Sequence, residues 1–299
     1  MDVERRRLPV SGGELAFVDL GEGPSVLLLH GFPTSSFLWR REVWLLSQGM
    51  RVLAPDLLGY GESRAAEGAD LSVRAQAGYL RELLGALGVE RAAAVGHQVG
   101  GAVALELALG AATGGGPRVG ALALVDAVCL GARPLAGMEG LLGPGRPERL
   151  ERALTAFVER AVGRPERRDP GLLEGYLGPW RRDPGALMRA ARALGEEPLG
   201  PSEAELAALD VPTLVLWGEE DPFVPAALAE RLGEVLPDAT VALLPGCSHL
   251  VNEDAPDTVG LLLLQYLRAR YLGLGHRHPE PGPVEVTLAP PRRRAQGGD

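Results

Sequence analysis

The stretch Ala92–Leu109, AAAVGHQVGGAVALELAL, decides the fold of this chain. Its first residues form an apolar run typical of a buried strand, its glycines permit a tight turn, and its second half reads as a helix. Gln98 stands at the tip of that turn. In strand–turn–helix units of this kind the tip residue usually carries the attacking atom. A glutamine amide is not a nucleophile, so the function of this tip has to be sought in the rest of the chain.

The bulk composition predicts a globular protein. The chain has 299 residues, 46% of them hydrophobic and 23% charged, which allows one large α/β domain or two small ones. Its formal net charge is −9, so nucleic acid is not an expected partner. No apolar run approaches the roughly 18 to 20 residues of a membrane span, and no signal peptide is recognised at the N-terminus. We therefore expect a cytoplasmic protein without a membrane contact.

Neither cysteines nor histidines form a metal-binding pattern. Cys129 and Cys247 have no metal spacing and indicate no disulfide framework. His276 and His278 lie in a Pro/Gly-rich tail and are interpreted as solvated residues. We expect no metal and no cofactor, a small molecule as the partner, and a monomer or a homodimer.

Short apolar runs alternate with longer helical patterns, which predicts a mostly parallel sheet covered by helices. From about Arg133 to Pro201 this alternation stops, and short helical patterns follow one another between Pro/Gly breaks. Such an insertion is typical of a cap over an active site. We expect a core domain at 1–132, a helical cap at 133–201, the rest of the core at 202–272, and a disordered tail at 273–299. The predicted strands are Glu14–Leu20, Ser25–His30, Arg51–Pro55, a strand that begins at Arg91, and those within Arg118–Ala127, Leu209–Gly218 and Ala239–Gly246.

Five ordered motifs resemble the α/β-hydrolase fold over about residues 14 to 272. They are HGFPTSSFLWR (His30–Arg40), APDLLGYGES (Ala54–Ser63), GHQVGG (Gly96–Gly101), GEEDPFVP (Gly218–Pro225) and GCSHLVNEDAP (Gly246–Pro256). The resemblance implies a central sheet flanked by helices, with the cap inserted after the sixth strand. It also implies the chain order nucleophile, acid, histidine.

The resemblance assigns a role to individual residues. Gln98 occupies the nucleophile position of the elbow pattern, while Asp221 and His249 match the acid and the histidine. The oxyanion hole is expected from the backbone N–H groups of Phe32 and Val99, and a backbone donor survives any side-chain substitution.

Other residues near these motifs have weaker assignments. Asp126 is a possible alternative acid, although a structural role is preferred for it. His30 and His97 match structural histidines that orient the loop and the elbow. Cys247 is interpreted as a plain buried or loop cysteine rather than a displaced nucleophile. The substrate pocket is expected to include Trp39, Tyr176 and Trp180, and packing within the cap is an equally good interpretation of the last two.

The flanking residues are most similar to the branch that contains epoxide hydrolases and haloalkane dehalogenases. That branch uses an aspartate at the position of Gln98, and its dehalogenases usually hold halide with side chains where this chain has Phe32 and Val99. The cap offers one tyrosine, Tyr176, where epoxide hydrolases use a pair. The resemblance therefore leaves the epoxide, ester and halide classes open.

Three hypotheses follow from a glutamine at the elbow. The chain is a small-molecule hydrolase whose covalent chemistry is impaired, or it replaces that chemistry by general-base catalysis with His249 and Asp221, in hydrolysis or as a non-covalent lyase. The third hypothesis is a ligand-binding pseudoenzyme.

Overall fold

A single sheet forms the centre of the computed structural model, which describes residues 4–112, 116–133, 135–136, 138, 147–168, 170–195 and 199–274. Within these residues the sheet has nine strands in the order β1-β2-β4-β3-β6-β7-β8-β9, with β5 beside β2. The strands are β1 Arg5–Val10, β2 Gly13–Leu20, β3 Ser25–Leu29, β4 Arg51–Pro55, β5 Arg64–Ala65, β6 Arg91–His97, β7 Arg118–Val125, β8 Thr213–Gly218 and β9 Ala239–Leu244.

The sheet is parallel from β4 to β9 and antiparallel at the β1–β2 end. Every residue of β3 and β8 is buried, as expected of strands that helices cover on both faces. This burial explains why the inner strands appear in the sequence as continuous apolar runs. The prediction of a mostly parallel sheet flanked by helices is confirmed.

Ten α-helices accompany the sheet in the described part of the chain. They are α1 Arg40–Leu46, α2 Val73–Ala86, α3 Val99–Ala112, α4 Pro147–Ala161, α5 Pro170–Arg182, α6 Pro184–Leu194, α7 Glu203–Ala207, α8 Ala227–Val235, α9 Val251–Asp254 and α10 Pro256–Tyr266. None of the described helices has the length and apolar character needed to cross a membrane.

The edge strand β1 is not predicted from the sequence. Its sequence, RRRLPV, lacks a buried face, and its residues are exposed or half-buried. Its arginines pair with carboxylates of the neighbouring strand and turns: Arg5 with Asp56, Arg6 with Asp19, and Arg7 with Glu14. An edge strand held by charges lacks the apolar alternation that identifies a strand in a sequence.

Helices α4, α5 and α6 form a helical insertion between β7 and β8. No described residue of 133–201 lies in a strand. The insertion follows the seventh strand of the chain, which is the sixth only if the two-residue β5 is left out. Its role as a cap and the domain boundaries stay predictions. The predicted tail, with His276 and His278, lies outside the described residues from residue 275 onward.

Candidate active site

The turn between β6 and α3 has backbone constraints that only small residues satisfy. A Cβ atom on Gly96 would lie 2.3 Å from the carbonyl oxygen of Gly100, and one on Gly100 would lie 2.3 Å from that of Leu29. Both obstacles are backbone atoms, which cannot move aside as a flexible side chain can. The G-x-x-x-G spacing of the sequence is therefore the steric condition for this turn.

Gln98 itself is held in a left-handed backbone conformation, with φ of 50°. A residue with a Cβ pays roughly 1–2 kcal/mol for this conformation. Its backbone N–H donates to the carbonyl of Val125, and its own carbonyl accepts from Gly101 and Val128. These bonds hold the strained residue in place, as is common at functional sites.

The side chain of Gln98 is buried and occupies the predicted oxyanion hole. Its Oε1 atom accepts one hydrogen bond from the backbone N–H of Phe32 and another from that of Val99, each 2.8 Å long. The two amides therefore converge on one point, and their role as an oxyanion hole stays a prediction. That point is taken by an amide oxygen of the protein, where a hydrolase would place the carbonyl oxygen of its substrate.

Asp221 and His249 meet at the ends of β8 and β9. His249 Nδ1 donates to Asp221 Oδ2 over 2.7 Å, and both side chains are fully buried. The other carboxylate oxygen of Asp221 accepts from the N–H groups of Phe223 and Val224, at 2.8 and 3.0 Å. Because a carboxylate only accepts, the proton of a neutral His249 sits on Nδ1 and Nε2 is the basic atom. His249 Nε2 has no hydrogen-bond partner in the described part of the chain.

Three rings surround the imidazole of His249. Their centroids lie 4.7 Å away for His97, 5.2 Å for Phe223 and 6.3 Å for Phe157, which comes from the helical insertion. His97 Nε2 donates to the carbonyl oxygen of His249 over 2.9 Å. Burial, and then the neighbouring His249, lower the pKa of His97 well below its ordinary value, so that His97 is neutral.

His30 lies on the other side of the elbow and is also neutral. Burial lowers its pKa, its Nε2 accepts from the N–H of Leu57, and its Nδ1 donates to the carbonyl of Gly31. Both bonds are 2.9 Å long and fix the loop that carries Phe32. The contacts of His30 and His97 fit the orienting role expected of them.

Asp126, the alternative acid, does not contact His249 through a hydrogen bond in the described structure. It directly follows β7 with φ of 44°, and its Oδ1 accepts from the N–H of Gly218 over 2.9 Å. Burial, and then the charge of Asp221, raise the pKa of Asp126 well above its ordinary value. The raised pKa favours the protonated form of Asp126, and Asp221 is the residue that orients His249.

The three predicted pocket residues are buried, and two of them bind protein groups. Tyr176 Oη donates to Glu253 over 2.7 Å, and Trp180 Nε1 donates to the carbonyl of Pro33 over 2.6 Å. These bonds fasten α5 to the core. Trp39 is fully buried, and its Nε1 has no hydrogen-bond partner among the described residues. Contact of these residues with a substrate stays a prediction.

Sequence reasoning missed the two acids that follow His249. Asp254 accepts from the backbone N–H groups of Ser248, Gly163 and Arg164, at 2.8, 3.0 and 2.9 Å. It thereby fastens the histidine segment to the end of α4. Glu253 binds Arg40, Arg41 and Tyr176 and is almost fully buried. The adjacent acids Glu253 and Asp254, shortly after His249 in the sequence, were the one signal from which their structural role could have been predicted.

The remaining candidates carry no chemistry of their own. Burial raises the pKa of the Cys247 thiol to about 11, so this residue is a neutral thiol at ordinary pH. In the described residues no cluster of histidine, cysteine and acidic side chains is arranged to hold a metal ion.

Comparisons with known proteins agree with this architecture. The family model of the alpha/beta hydrolase family matches residues 26–260. Haloalkane dehalogenase 2 of Mycobacterium bovis is 29% identical over 277 residues, which cover 88% of this chain and 94% of the dehalogenase. The magnesium-chelatase 30 kDa subunit of Rhodobacter capsulatus is 30% identical over 265 residues, or 84% and 89% of the two chains. A meta-cleavage product hydrolase from Pseudomonas fluorescens IP01 superposes with a TM-score of 0.76 at 22% identity, covering 88% and 97%.

Proposed function

The chain belongs to the alpha/beta hydrolase family, and from this premise we propose that it hydrolyses small, largely apolar molecules with His249 as a general base toward water. The observation that carries the proposal is the buried 2.7 Å hydrogen bond from His249 Nδ1 to Asp221, which leaves Nε2 as the basic atom. His249 takes a proton from water as the water oxygen attacks the substrate. Asp221 stabilises the imidazolium, which returns the proton to the ring oxygen of an epoxide; a halide leaves as an anion, and the proton then passes from His249 to solvent.

The filled oxyanion hole bears on the substrate class. An ester places its developing negative charge in this hole, but the N–H groups of Phe32 and Val99 already donate to Gln98. An epoxide or a halide does not require the hole for water attack. The name of the haloalkane dehalogenase relative supports the halide class, although Phe32 and Val99 offer no side-chain donor for a halide. We therefore place epoxides and halides before esters.

The helical insertion is proposed to act as a cap over this site. Its support is the contact between the end of α4 and the histidine segment. The N–H of Leu250 donates to the carbonyl of Ala161 over 2.7 Å, and Ser248 Oγ donates to that of Arg160 over 2.8 Å. Because both neighbours of His249 are bonded to α4, a movement of the insertion would move the base as well.

A second candidate, a ligand-binding pseudoenzyme, is favoured by one observation. The N–H groups of Phe32 and Val99 already donate to the amide oxygen of Gln98, so they need no substrate carbonyl as an acceptor. A third candidate, a lyase, would use the same His249 to remove a proton from a substrate carbon instead of from water.

Turnover of an aryl epoxide, haloalkanes and p-nitrophenyl esters by the purified protein and its His249→Ala variant tests the proposal. We expect the variant to lose about 10²- to 10⁴-fold in rate, the usual contribution of a general base. Asp210→Asn, a change of an exposed aspartate, is the matched control and keeps full activity. Turnover that survives in His249→Ala contradicts the proposal, and products of elimination identify the lyase. Binding of an apolar ligand without any turnover identifies the pseudoenzyme.

A further inference from the structure

The side chain of Gln98 is itself arranged as the substrate of a hydrolase. Its amide oxygen accepts two backbone hydrogen bonds of 2.8 Å, the arrangement that stabilises the oxyanion of a tetrahedral intermediate. These bonds draw electrons from the carbonyl carbon Cδ and make it more open to attack. The amide is fully buried, so this polarisation is not shared with bulk solvent.

A histidine lies close to the elbow that carries this polarised amide. The His249 ring packs against that of His97, the residue before Gln98, with 4.7 Å between centroids. His249 Nε2 is buried and makes no hydrogen bond to a described residue, while Nδ1 is held by Asp221. A buried acceptor without a partner is costly, and a hydrogen bond from water would satisfy it.

From this geometry we infer that Gln98 is a self-processing site, where the protein hydrolyses its own glutamine amide to a glutamate. The inference rests on the proposed water-activating role of His249. Water attacks Cδ of Gln98 while His249 Nε2 takes one of its protons, and the oxyanion stays in the hole formed by Phe32 and Val99. The Cδ–Nε2 bond then breaks as His249 gives the proton to the departing nitrogen. The products are ammonia and a glutamate side chain at position 98, so no oxidant or further reactant is needed.

The consequence is that the elbow acquires an oxygen nucleophile after folding. One carboxylate oxygen of the product stays in the oxyanion hole, and the other stands where the amide nitrogen was. A carboxylate at this point can attack carbon electrophiles directly, which an amide cannot do. The glutamine is in this sense a precursor of the reactive group.

A backbone route to the same product is disfavoured by the structure. Deamidation through a cyclic imide requires the backbone nitrogen of Val99 to attack Cδ. That nitrogen donates its hydrogen to Gln98 Oε1 and belongs to the first turn of α3. The imide route would leave a mixture of ordinary and side-chain-linked glutamate, which distinguishes it from direct hydrolysis.

Peptide mass spectrometry of the full chain, incubated at neutral pH in heavy-oxygen water and sampled over days, tests the inference. Trypsin releases Ala92–Arg118, in which Gln98 is the one side-chain amide, and Ala75–Arg81, which contains Gln76. Gln76 is the internal control, because it is buried and its Oε1 accepts a single backbone N–H, from Leu58. We expect Gln98, and not Gln76, to gain heavy oxygen in the ordinary glutamate linkage.

Two variants test whether His249 is the base that hydrolyses the Gln98 amide. His249→Ala is expected to reduce deamidation at position 98 to the level of Gln76, whereas Asp210→Asn leaves the wild-type rate unchanged; circular dichroism confirms that both fold. An unchanged amide in the wild type, a side-chain-linked product, or a wild-type rate in His249→Ala each overturns the inference. The outcome is separable from the proposed function: turnover of added substrates with an intact Gln98 refutes this inference alone. Labelled glutamate without turnover of any substrate supports this inference and refutes the proposed hydrolysis of external molecules.

Discussion

The two halves of the candidate site differ in what they leave available. At the elbow, between β6 and α3, both backbone donors of the predicted oxyanion hole, the N–H groups of Phe32 and Val99, donate to Gln98 Oε1. At the ends of β8 and β9, Asp221 orients His249 and leaves Nε2 without a partner in the described structure. In one half the donors are occupied by a side chain of the protein, and in the other a buried ring nitrogen lacks a hydrogen-bond partner among the described residues.

This difference indicates that the backbone of the turn does not depend on which side chain stands at its tip. The turn is set by Gly96 and Gly100, whose neighbours are backbone atoms, and by hydrogen bonds of the main chain of Gln98. A change of the tip side chain therefore leaves the backbone donors in place. What changes is which group fills them.

The largest expected effect on the rate comes from a substitution in the Asp221–His249 pair. Asp221→Asn keeps the shape of the side chain but removes the carboxylate that holds the His249 proton on Nδ1. We expect the proposed hydrolysis to fall by about 10⁴-fold, as in the serine-protease triad when the same replacement is made. Steady-state kinetics on the best substrate measures this loss, with Asp210→Asn as the control. A loss smaller than tenfold would show that the proposed reaction does not depend on the orientation of His249 by Asp221.

The next effect tests whether Gln98 really closes the elbow. Gln98→Ala removes the amide oxygen and frees the N–H groups of Phe32 and Val99 for a substrate carbonyl. We expect hydrolysis of p-nitrophenyl esters to rise by up to about 10²-fold, the contribution of one oxyanion-hole donor at the lower limit. The double variant with His249→Ala loses this gain if the base is required. Equal rates in wild type and Gln98→Ala would mean that the hole is open in solution.

A smaller effect concerns the backbone of the elbow. Gly100→Ala places a Cβ against the carbonyl oxygens of Leu29 and His30, at 2.3 and 2.5 Å. We expect the free energy of unfolding in urea to fall by about 1–3 kcal/mol, the usual cost of overpacking. Gly85→Ala in α2 is the matched control, because a Cβ there meets nothing within 4 Å, and it is expected to gain about 0.5–1 kcal/mol. Equal stabilities of the two variants would refute the steric account.

The smallest effect on activity is expected from the second buried aspartate. Burial and the charge of Asp221 raise the pKa of Asp126, which makes no hydrogen bond to His249 in the described structure, and the oxygen of an asparagine can still accept from Gly218. Asp126→Asn should therefore change the rate by less than tenfold, in contrast to Asp221→Asn.

The same variant has a pH signature in stability. The folded-state pKa of Asp126 lies above its unfolded value, so folding takes up a proton between the two. The stabilising contribution of this proton is complete below the unfolded pKa and is lost as the pH rises toward the folded one. We expect Asp126→Asn to gain free energy of unfolding over the wild type as the pH rises, measured by urea unfolding at several pH values. A difference that is constant with pH would show that Asp126 is ionised in the fold.

Several elements were predictable because their cause is local. The inner strands β3 and β8, for example, are buried on both faces and therefore appear in the sequence as continuous apolar runs. The strand β1 was missed because its arginines are stabilised by partners elsewhere in the chain. Arg5, for example, binds Asp56, 51 positions away.

The residues of the candidate site also separate into those predictable from local sequence and those held by distant partners. The positions of Gln98, Asp221 and His249 follow from motifs, since parallel strands bring their carboxyl ends to one edge of the sheet. Glu253 was missed because its partner Arg40 is 213 positions away, and no local pattern announces such a pair.

The sequence by itself determined the inner strands of the sheet, the elbow and the absence of a nucleophile at its tip, because these depend on local apolar spacing, glycine sterics and residue identity. The order of the three site positions came from the resemblance to the α/β-hydrolase fold. Only the tertiary structure decided what Gln98 does. The amide oxygen finds the N–H of Phe32, 66 positions away, as well as that of its neighbour Val99. Which of several rotamers a long side chain adopts depends on partners that only the packed backbone brings within reach. That choice places the amide oxygen of Gln98 on both donors of the predicted oxyanion hole.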